Sequence, residues 1–464
     1  MFIGREKELG ELVNEFSNWK RKTAVLVYGK RRVGKSTLIN EASRSFDGYV
    51  INYLCVSSTY EGNMELLCKS VSDALSLPGI SFESMFAMME FLGQTGKKIL
   101  LVIDEYPYLK QSKKKNEVDS IMQAVIDKLP ANVKLVLCGS YISVMKEVLE
   151  EENPLFGRFS LTQHIRDFDY YDAAKFYPEL SEKDKVSFYA VFGGSPFVLE
   201  NLDPDKSLRE NIEKLILREN GIIRIYIENI ILKEVQKTFD SRILEALGNG
   251  KKRYSEIREW LKLTETGLLD KQLKILLDME TIIKTEPINR REDKKKQFYE
   301  ITDNLVRFYY TYIFGKTGIM NRVGPEQFFT NRIQDTLIQY ISRRFEGVAL
   351  QYFRRMAFSG KQIDIEDYGS YWYDDPVLKK NGDFDCVVKL KDDRYVFYEC
   401  KFLDKEMTYE QCKQEEEQLR SVQGIEVSGI GFISISGFAF DTGHERTNEY
   451  IFLDGSSLYG ACHH

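Results

Sequence analysis

The sequence lacks the features that mark membrane, secreted and zinc-binding proteins. It contains no run of 18 apolar residues, so no membrane-spanning helix is predicted. Its seven cysteines are odd in number, scattered and without a C-x-x-C pair, which argues against a disulfide framework or a zinc site and indicates reduced thiols in a cytoplasmic protein. The charged N-terminus has no apolar segment and is not expected to be a signal peptide.

Histidine and positive charge are also scarce. Only four histidines occur, two of them at positions 463 and 464, so a histidine-based metal site or catalytic triad is not expected. The net charge of −6 excludes a basic coat for nucleic acid and leaves any DNA contact to a local patch. Apolar material is plentiful: 43% of the 464 residues are hydrophobic, and this length suits about three domains.

Short apolar stretches alternate with helical ones in the first third of the chain. Strands are predicted at Thr23–Tyr28, Tyr49–Leu54, 98–103 and 133–137. Buried strands that alternate with helices favour a parallel sheet covered on both faces. We therefore expect an α/β fold for residues 1–166.

The strand TAVLVY runs directly into GKRRVGKS, which is followed by a helical stretch. This is the G-x-x-x-x-G-K-S pattern of a phosphate-binding loop in its strand–loop–helix context. Its glycines let the main chain wrap closely and aim N–H groups at phosphates, and the helix start adds its positive dipole end. Lys35 is expected to reach the β- and γ-phosphates of ATP, and Ser36 to bind Mg²⁺. The predicted nucleotide contacts are Gly29, Arg32, Val33, Gly34, Lys35, Ser36 and Thr37. Read alone, Arg31 and Arg32 are either phosphate-directed or solvated.

A second acidic element fits this loop. The apolar stretch KKILLVIDEYPYL ends in Asp104 and Glu105, and an aspartate at the end of a neighbouring strand can hold Mg²⁺ through water. Glu105 is placed to act as general base on the attacking water. Ser140, which ends VKLVLCGS, either senses the γ-phosphate or is a plain turn serine.

Six motifs together resemble one family. FIGREKEL, GKRRVGKS, LVIDEYPYL, VLCGS, PLFGR and GGSPF, in that order, resemble the archaeal-type ATPases of the STAND/AAA+ group of P-loop NTPases. The resemblance implies an ATP-binding switch with a helical lid and a winged helix, and it implies a position near the adenine for the segment that contains Phe2, Gly4 and Arg5.

The same resemblance implies roles for three residues further on. Arg158 would be a nucleotide-sensing or finger arginine, in its own chain or from a neighbouring subunit. Gly194 and Pro196 would contact the base from the lid. From the residues alone, Arg158 is also compatible with a surface arginine and Pro196 with a helix breaker.

The chain divides by pattern into four parts. These are a P-loop ATPase core (1–166), a helical lid (167–237), a winged helix (238–308) and a nuclease-like α/β domain with a helical lead-in (309–464). The predicted winged helix has a hairpin around the charged loop RREDKKK. That loop favours contact with nucleic acid phosphates, and the alternative is a structural domain that touches no DNA.

The last part is predicted to contain strands at 382–390, 394–401 and 429–436, and it carries a carboxylate–lysine pattern. Asp385 and the pair Glu399 and Lys401 fall on two predicted strands joined by a tight turn, and residues two apart on a strand share a face. Asp385 and Glu399 are predicted to hold a second Mg²⁺ or Mn²⁺, with Lys401 activating water and Glu346 adding an acidic group. The pattern resembles the PD-(D/E)xK nuclease superfamily, and the alternative is an inactive fold that retains the charges.

The sequence therefore predicts an ATP-hydrolysing switch that controls a metal-dependent nuclease-like domain acting on nucleic acid, with self-association on ATP binding. The alternative is a non-nuclease regulator that binds DNA or a protein through the winged helix. A motor or helicase-loader ATPase is a third interpretation, ranked last because STAND proteins usually switch and do not translocate.

Overall fold

A computed structural model describes residues 2–110, 116–231, 240–263, 266–359, 365–375, 380–425, 427–443 and 449–460. The chain separates into two compact units. The first contains the residues up to Asp167 together with Ser195–Phe197, and the second contains Phe168–Gly194 and the chain from Val198 onward. No helix in the described ranges is both long and apolar enough to cross a membrane.

The first unit is built on a five-stranded parallel sheet. Its strands are Thr23–Tyr28 (β1), Tyr49–Leu54 (β2), Ile99–Asp104 (β3), Val133–Gly139 (β4) and Leu161–His164 (β5). Their order across the sheet is β2-β3-β4-β1-β5, and all neighbours run parallel. Strands β1, β3 and β4 are buried almost throughout, as expected for central strands covered on both faces.

Helices cover both faces of this sheet. They are Glu6–Ser17 (α1), Lys35–Ser43 (α2), Tyr60–Leu75 (α3), Met85–Gln94 (α4), Pro107–Lys110 (α5), Glu117–Asp127 (α6) and Ile142–Glu147 (α7). Successive residues of β1 alternate between two cores: Leu26 packs with α3, α4 and α6, whereas Val25 and Val27 pack with α1 and α2. Helices α3 and α4 begin where the Thr59 and Ser84 side chains accept backbone N–H bonds.

Parallel strands bring their carboxyl ends to one edge of the sheet. Strand β1 ends at Tyr28, β3 ends at Asp104 and β4 ends at Gly139. These three strands are neighbours in the order β3-β4-β1, so the segments that follow them meet. This edge is where open α/β sheets bind ligands.

The second unit begins with helices and a small hairpin. The helices are Tyr170–Ala174 (α8), Glu182–Phe192 (α9), Pro196–Leu199 (α10, which begins in the first unit), Leu208–Ile212 (α11), Ile222–Tyr226 (α12), Arg242–Gly248 (α13), Tyr254–Leu261 (α14) and Thr266–Asp278 (α15). Two π-helical turns, Glu213–Leu217 and Ile227–Ile231, follow α11 and α12. The hairpin pairs Ile282–Thr285 (β6) with Phe298–Ile301 (β7), and its loop contains the 3₁₀ turn Lys294–Lys296.

A mixed five-stranded sheet completes this unit. Its strands are Ile365–Asp375 (β8), Lys380–Leu390 (β9), Tyr395–Lys401 (β10), Gly429–Ser434 (β11) and Tyr450–Asp454 (β12), in the order β12-β11-β10-β9-β8. Strands β8, β9 and β10 pair antiparallel, and β10, β11 and β12 pair parallel. The accompanying helices are Asn304–Tyr312 (α16), Thr317–Val323 (α17), Pro325–Arg332 (α18), Gln334–Ser359 (α19), Tyr409–Ser421 (α20) and Gly455–Gly460 (α21). Helix α19 contacts β8, β9 and β10.

The predicted α/β architecture is confirmed, with three additional strands. The strand predicted at 98–103 lies one residue further on, at Ile99–Asp104. The sequence pattern does not predict β5, β8 or β12. Strand β5 is the four-residue stretch LTQH, and β8 (IEDYGSYWYDD) carries acidic residues and a glycine, which lowers its strand propensity. Pairing with neighbouring strands stabilises them in the folded chain.

Candidate functional site

The loop between β1 and α2 is shaped by its two glycines. A β-carbon on Gly29 would lie 2.0 Å from the carbonyl oxygen of Ile165, so no other residue fits there without a shift of the main chain. Gly34 has a φ of 90°, in the left-handed region that favours glycine. Helix α2 begins directly after it, so its first N–H groups point into the loop.

The Lys35 side chain curls back into this loop. Its ammonium group donates to the carbonyl oxygens of Gly29 (2.9 Å) and Lys30 (2.8 Å), and the residue is 6% exposed. Burial lowers the pKa of Lys35, and the charges of Glu105 and Asp104 oppose that shift. A positive charge is thus held among main-chain dipoles where an anionic phosphate chain is predicted to bind.

Ser36 and Asp104 meet as the sequence predicts. The Ser36 hydroxyl donates to Asp104 Oδ2 at 2.7 Å, and Asp104 Oδ1 accepts the Glu105 N–H at 2.8 Å. Hydroxyl and carboxylate oxygens suit Mg²⁺, so this pair fits that ion. Within the described ranges, no three His, Cys, Asp or Glu side chains lie close enough together to hold a metal ion. A Mg²⁺ ion here would therefore depend on water and phosphate for its other ligands.

Glu105 is held in an unusual conformation beside the loop. Its φ of 53° lies in the left-handed region, which costs a non-glycine residue about 1 kcal/mol. Its Oε2 accepts from the Ser140 hydroxyl (2.8 Å) and from the Ser140 N–H (3.2 Å). The next residue is anchored, because the Tyr106 hydroxyl donates to the buried Asp119 at 2.6 Å. Ser140 therefore lies in the predicted region, as a partner of the predicted general base.

Arg31 extends from the loop to Ser140, the hydrogen-bond partner of this carboxylate. Its Nη2 donates to the hydroxyls of Tyr141 (2.7 Å) and Tyr108 (3.2 Å), and its Nε approaches Ser140 Oγ at 3.4 Å. Its guanidinium carbon lies 5.0 Å from the centre of the Tyr141 ring. Arg31 is thus directed across the site by two tyrosines that sequence reasoning did not single out.

The GGSPF segment packs on the phosphate loop. The Arg32 guanidinium lies 3.9 Å from the centre of the Phe197 ring, and a β-carbon on Gly34 would lie 3.7 Å from Pro196 Cγ. In the second unit, a β-carbon on Gly194 would lie 1.8 Å from the carbonyl oxygen of Phe168. Gly194 is therefore required for close packing, and Pro196 is in contact distance of the loop where a bound nucleotide is predicted.

The carboxylate–lysine pattern of the second unit is assembled on β9 and β10. These strands pair antiparallel up to Phe397 opposite Val387, and Glu399 and Asp385 lie two residues beyond that pair on their strands. Burial raises the pKa of Glu399, and the charge of Asp385 adds to that shift. Lys401 Nζ lies 2.9 Å from Glu399 Oε1 and 2.6 Å from Glu415 Oε1. Glu415, on α20, was missed because only the packing of that helix brings it to the sheet.

Lys251, in the segment between α13 and α14, contacts the aspartates of β9. Lys251 Nζ lies 2.5 Å from Asp383 Oδ2 and 2.9 Å from Asp385 Oδ1. Burial raises the pKa of Glu346 to about 8, the Asp385 charge adds to that shift, and Lys251 opposes it. Both Asp385 and Glu399, the predicted metal ligands, are thus ion-paired with lysines. In this arrangement the residues do not fit a resident metal ion.

The comparisons with known proteins agree with the geometry of the phosphate loop. A family model described as an ATPase domain predominantly from Archaea matches residues 2–202. Residues 2–202 are therefore similar to archaeal ATPase domains. A second model, described as archaeal and bacterial proteins of unknown function, matches residues 309–415.

Similar proteins come from several archaea. An uncharacterized protein of Methanocaldococcus jannaschii is 27% identical over 378 residues, which cover 80% of this chain and 82% of that protein. A solved Walker-type ATPase of Pyrococcus abyssi is 21% identical, with a TM-score of 0.46, and the match covers 67% of this chain and 96% of that one. The Aeropyrum pernix ORC2 protein in ADPNP–ADP complexes is 10% identical, with a TM-score of 0.44 over 69% and 94% of the two chains.

The Arg5 side chain joins two backbone segments of the first unit. Its Nη2 donates to the carbonyl oxygens of Val33 (3.0 Å) and Arg166 (2.6 Å), and the residue is 7% exposed. Gly4 precedes it with a φ of 67°, and Phe2 packs on the core that contains α1 and α2. Arg5 thus holds the phosphate loop at the Val33 carbonyl group. Contact between this N-terminal segment and the adenine stays a prediction.

Arg158 lies at the amino end of the parallel sheet of the first unit, opposite to the end that carries the phosphate loop. Its Nε donates to Asp127 Oδ1 at 3.0 Å, and the Ser160 N–H donates to Ala24 near the amino end of β1. At roughly 3.3 Å per residue, β1 separates this end from the loop by about 15–20 Å. Arg158 is therefore too distant to sense a nucleotide in its own chain, which corrects that expectation. A role toward a neighbouring subunit stays a prediction.

Replacing Arg5 separates a structural role from adenine contact. The Arg5→Ala variant is expected to lower the affinity for Mg-ATP and for Mg-triphosphate by the same factor, about tenfold, because it loosens the backbone at Val33. Calorimetric titration measures both. Arg44→Ala, which removes an exposed ion pair to Glu41, is the matched control. A loss seen with ATP but not with triphosphate would instead assign Arg5 to the base.

Proposed function

We propose that this protein binds Mg-ATP at the loop of residues 29–36 and hydrolyses it, as a switch for its second unit. The observation that carries the proposal is the meeting of three strand ends. Ser36 after β1, Asp104 and Glu105 at β3, and Ser140 after β4 form one hydrogen-bonded set, and Lys35 precedes Ser36 with its ammonium group bonded to the phosphate loop. Each residue type has a distinct task in phosphoryl transfer.

The chemistry follows from these positions. Main-chain N–H groups of the loop and the start of α2 bind the phosphates, and Lys35 neutralises charge on the β- and γ-oxygens. Mg²⁺, when held by Ser36 and Asp104, supplies further charge neutralisation. Water attacks the γ-phosphorus, Glu105 accepts its proton, and the bond to the β–γ bridging oxygen breaks to release ADP.

Coupling to the second unit is supported by the path of the chain. Ser195–Phe197 belongs to the first unit, while the residues on both sides of it belong to the second. Pro196 and Phe197 lie against Gly34 and Arg32 of the phosphate loop. In the proposed switch, nucleotide binding changes the position of Pro196 and Phe197, and the chain on either side transmits that change to the second unit. Self-association on ATP binding is part of the same proposal.

Cleavage of nucleic acid is a second candidate function, for the C-terminal sheet. It is supported by the antiparallel pairing of the two strands that carry Asp385 and Glu399, with Lys401 beside Glu399 and with Glu346 influenced by the Asp385 charge. Carboxylates and a lysine are residue types that serve metal-dependent hydrolysis. The lysine pairing described above means that a metal ion would enter only after the pairs rearrange.

Binding of DNA through the hairpin loop of the predicted winged helix has less support than these two functions. Arg291 is ion-paired with Asp367 of β8, and Lys296 lies 3.6 Å from the centre of the Trp372 ring on the same strand. Asn289 also exchanges hydrogen bonds with the Trp372 main chain. These contacts direct part of the basic loop toward β8, so less positive charge is available for nucleic acid.

Substitution of Glu105 tests the proposed hydrolysis. Glu105→Gln is expected to bind ATP within about threefold of the wild type but to lose about 10²–10⁴-fold in kcat, because only the proton acceptor is removed. Lys35→Ala is expected to lose binding as well. Phosphate release and calorimetry measure the two effects. Glu90→Gln, which replaces an exposed carboxylate on α4, is the matched control and should behave as wild type. Unchanged turnover by Glu105→Gln would refute the assignment.

The second candidate is tested with supercoiled plasmid. Wild-type protein with Mn²⁺ and ATP is expected to relax the plasmid, and Lys401→Ala is expected to abolish cutting. Lys391→Ala, in the turn between β9 and β10, is the matched control and should cut normally. Equal cutting by Lys401→Ala would exclude this site, and ATP hydrolysis without any cutting would favour the non-nuclease regulator.

A further inference from the structure

Arg31 connects the phosphate loop to the predicted general base. Its Nε approaches Ser140 Oγ at 3.4 Å, and the same hydroxyl donates to Glu105 at 2.8 Å. A general base for ATP hydrolysis must lie within one water molecule of the γ-phosphate. A guanidinium group one hydroxyl away from that base is therefore within reach of the γ-phosphate oxygens.

Two of the contacts of Arg31 are to neutral groups. Tyr108 and Tyr141 offer neutral hydroxyl oxygens, at 3.2 Å and 2.7 Å from Nη2. Charge-assisted bonds to phosphate oxygens are about twice as strong as bonds between neutral groups. An anionic γ-phosphate would therefore outcompete the tyrosines, while the long flexible side chain needs no movement of the main chain.

We propose that Arg31 is the arginine that stabilises the transferring γ-phosphoryl group, supplied by the phosphate loop of the same chain. This rests on the proposed hydrolysis and adds a catalytic residue to it. Arg158 is about 15–20 Å from the loop of its own chain, so Arg31 takes the role first expected there. Tyr108 and Tyr141 are its positioning residues. Movement of the guanidinium also removes a neighbour from Ser140, which holds Glu105.

The experiment compares binding with turnover in Arg31→Ala. We expect ATP affinity within about threefold of the wild type and a kcat reduced about 10³-fold, since the developing charge is larger in the transition state. Binding of ADP with aluminium fluoride, which mimics the transferring group, should be lost. Arg31→Lys should recover little, because lysine lacks the planar fork. Arg44→Ala is the exposed-arginine control and should behave as wild type.

Mixing variants distinguishes the source of the arginine. Arg31→Ala mixed with Lys35→Ala should show no recovered turnover, because each intact site needs its own Arg31. Recovery on mixing would overturn the same-chain role. So would unchanged kcat or retained aluminium fluoride binding in Arg31→Ala. If wild-type protein binds but does not hydrolyse ATP, the proposed function itself fails, and the two failures are thereby distinguished.

A separate observation concerns Lys251 in the second unit. The segment between α13 and α14 is fixed to β7, because Lys252 and Tyr299 exchange two backbone hydrogen bonds of 3.0 and 2.7 Å. The adjacent Lys251 reaches across to Asp383 and Asp385 on β9. Its ammonium group thus supplies positive charge to carboxylates that otherwise attract a metal ion.

We infer that Lys251 is a built-in counter-ion that keeps divalent cations off Asp383 and Asp385. Ammonium and Mn²⁺ compete for the same carboxylate oxygens, so cation affinity depends on where Lys251 lies. The Lys251 contact thereby inhibits the C-terminal candidate site from within the same chain. Inhibition of cleavage rests on the proposed nuclease function, whereas the effect on cation binding does not and is measured directly.

Manganese binding to the full chain tests the contact. Lys251→Met is expected to bind Mn²⁺ at least about tenfold more tightly than wild type, by electron paramagnetic resonance, while Lys251→Arg stays like wild type. Adding Asp385→Asn to Lys251→Met should remove the gain, which separates it from binding at Ser36 and Asp104. If Lys251→Met is unstable, Lys251→Gln replaces it. No gain in either variant, or a gain that survives Asp385→Asn, overturns the inference.

Discussion

The hydrogen bond between Ser36 and Asp104 joins the two halves of the nucleotide site. It connects the first turn of α2 to the end of β3, across the intervening strand β4. Because all these strands are parallel, their ends lie at one edge, and the phosphate loop, the acidic pair and Ser140 meet without any long connection. The other contacts of the site extend from this one: Asp104 binds the Glu105 N–H, and Glu105 binds Ser140.

The two sets of carboxylates differ in what neutralises them. Asp104 and Glu105 accept hydrogen bonds from hydroxyl and main-chain groups, which leaves their charge available to a metal ion or a proton. Asp385 and Glu399 are each paired with a lysine ammonium group. Asp104 and Glu105 can therefore bind a metal ion or a proton in the observed arrangement. Asp385 and Glu399 would first have to exchange their lysine partners.

Local pattern predicted the loop and the strand ends of the candidate site, because its parts are close in sequence to the strand ends that carry them. The loop GKRRVGKS and the pair Asp104 and Glu105 needed only the period of the strands and the rule that parallel strands share an edge. Arg158 shows where this fails. Nothing local indicates which end of the sheet the residues before β5 occupy, and the pairing of β5 with β1 places them far from the loop.

The sequence by itself determined the phosphate loop, its acidic partners, the α/β class and the hairpin that carries Asp385 and Glu399. Each of these depends on residue type and on spacing within one or two adjacent elements. Only the tertiary structure decided that Arg31 donates to the hydroxyls of Tyr108 and Tyr141. It also decided the ion pairs of Lys401 with Glu415 and of Lys251 with Asp383 and Asp385. These contacts join residues up to 134 positions apart, and long flexible side chains find such partners only when packing has fixed the backbone.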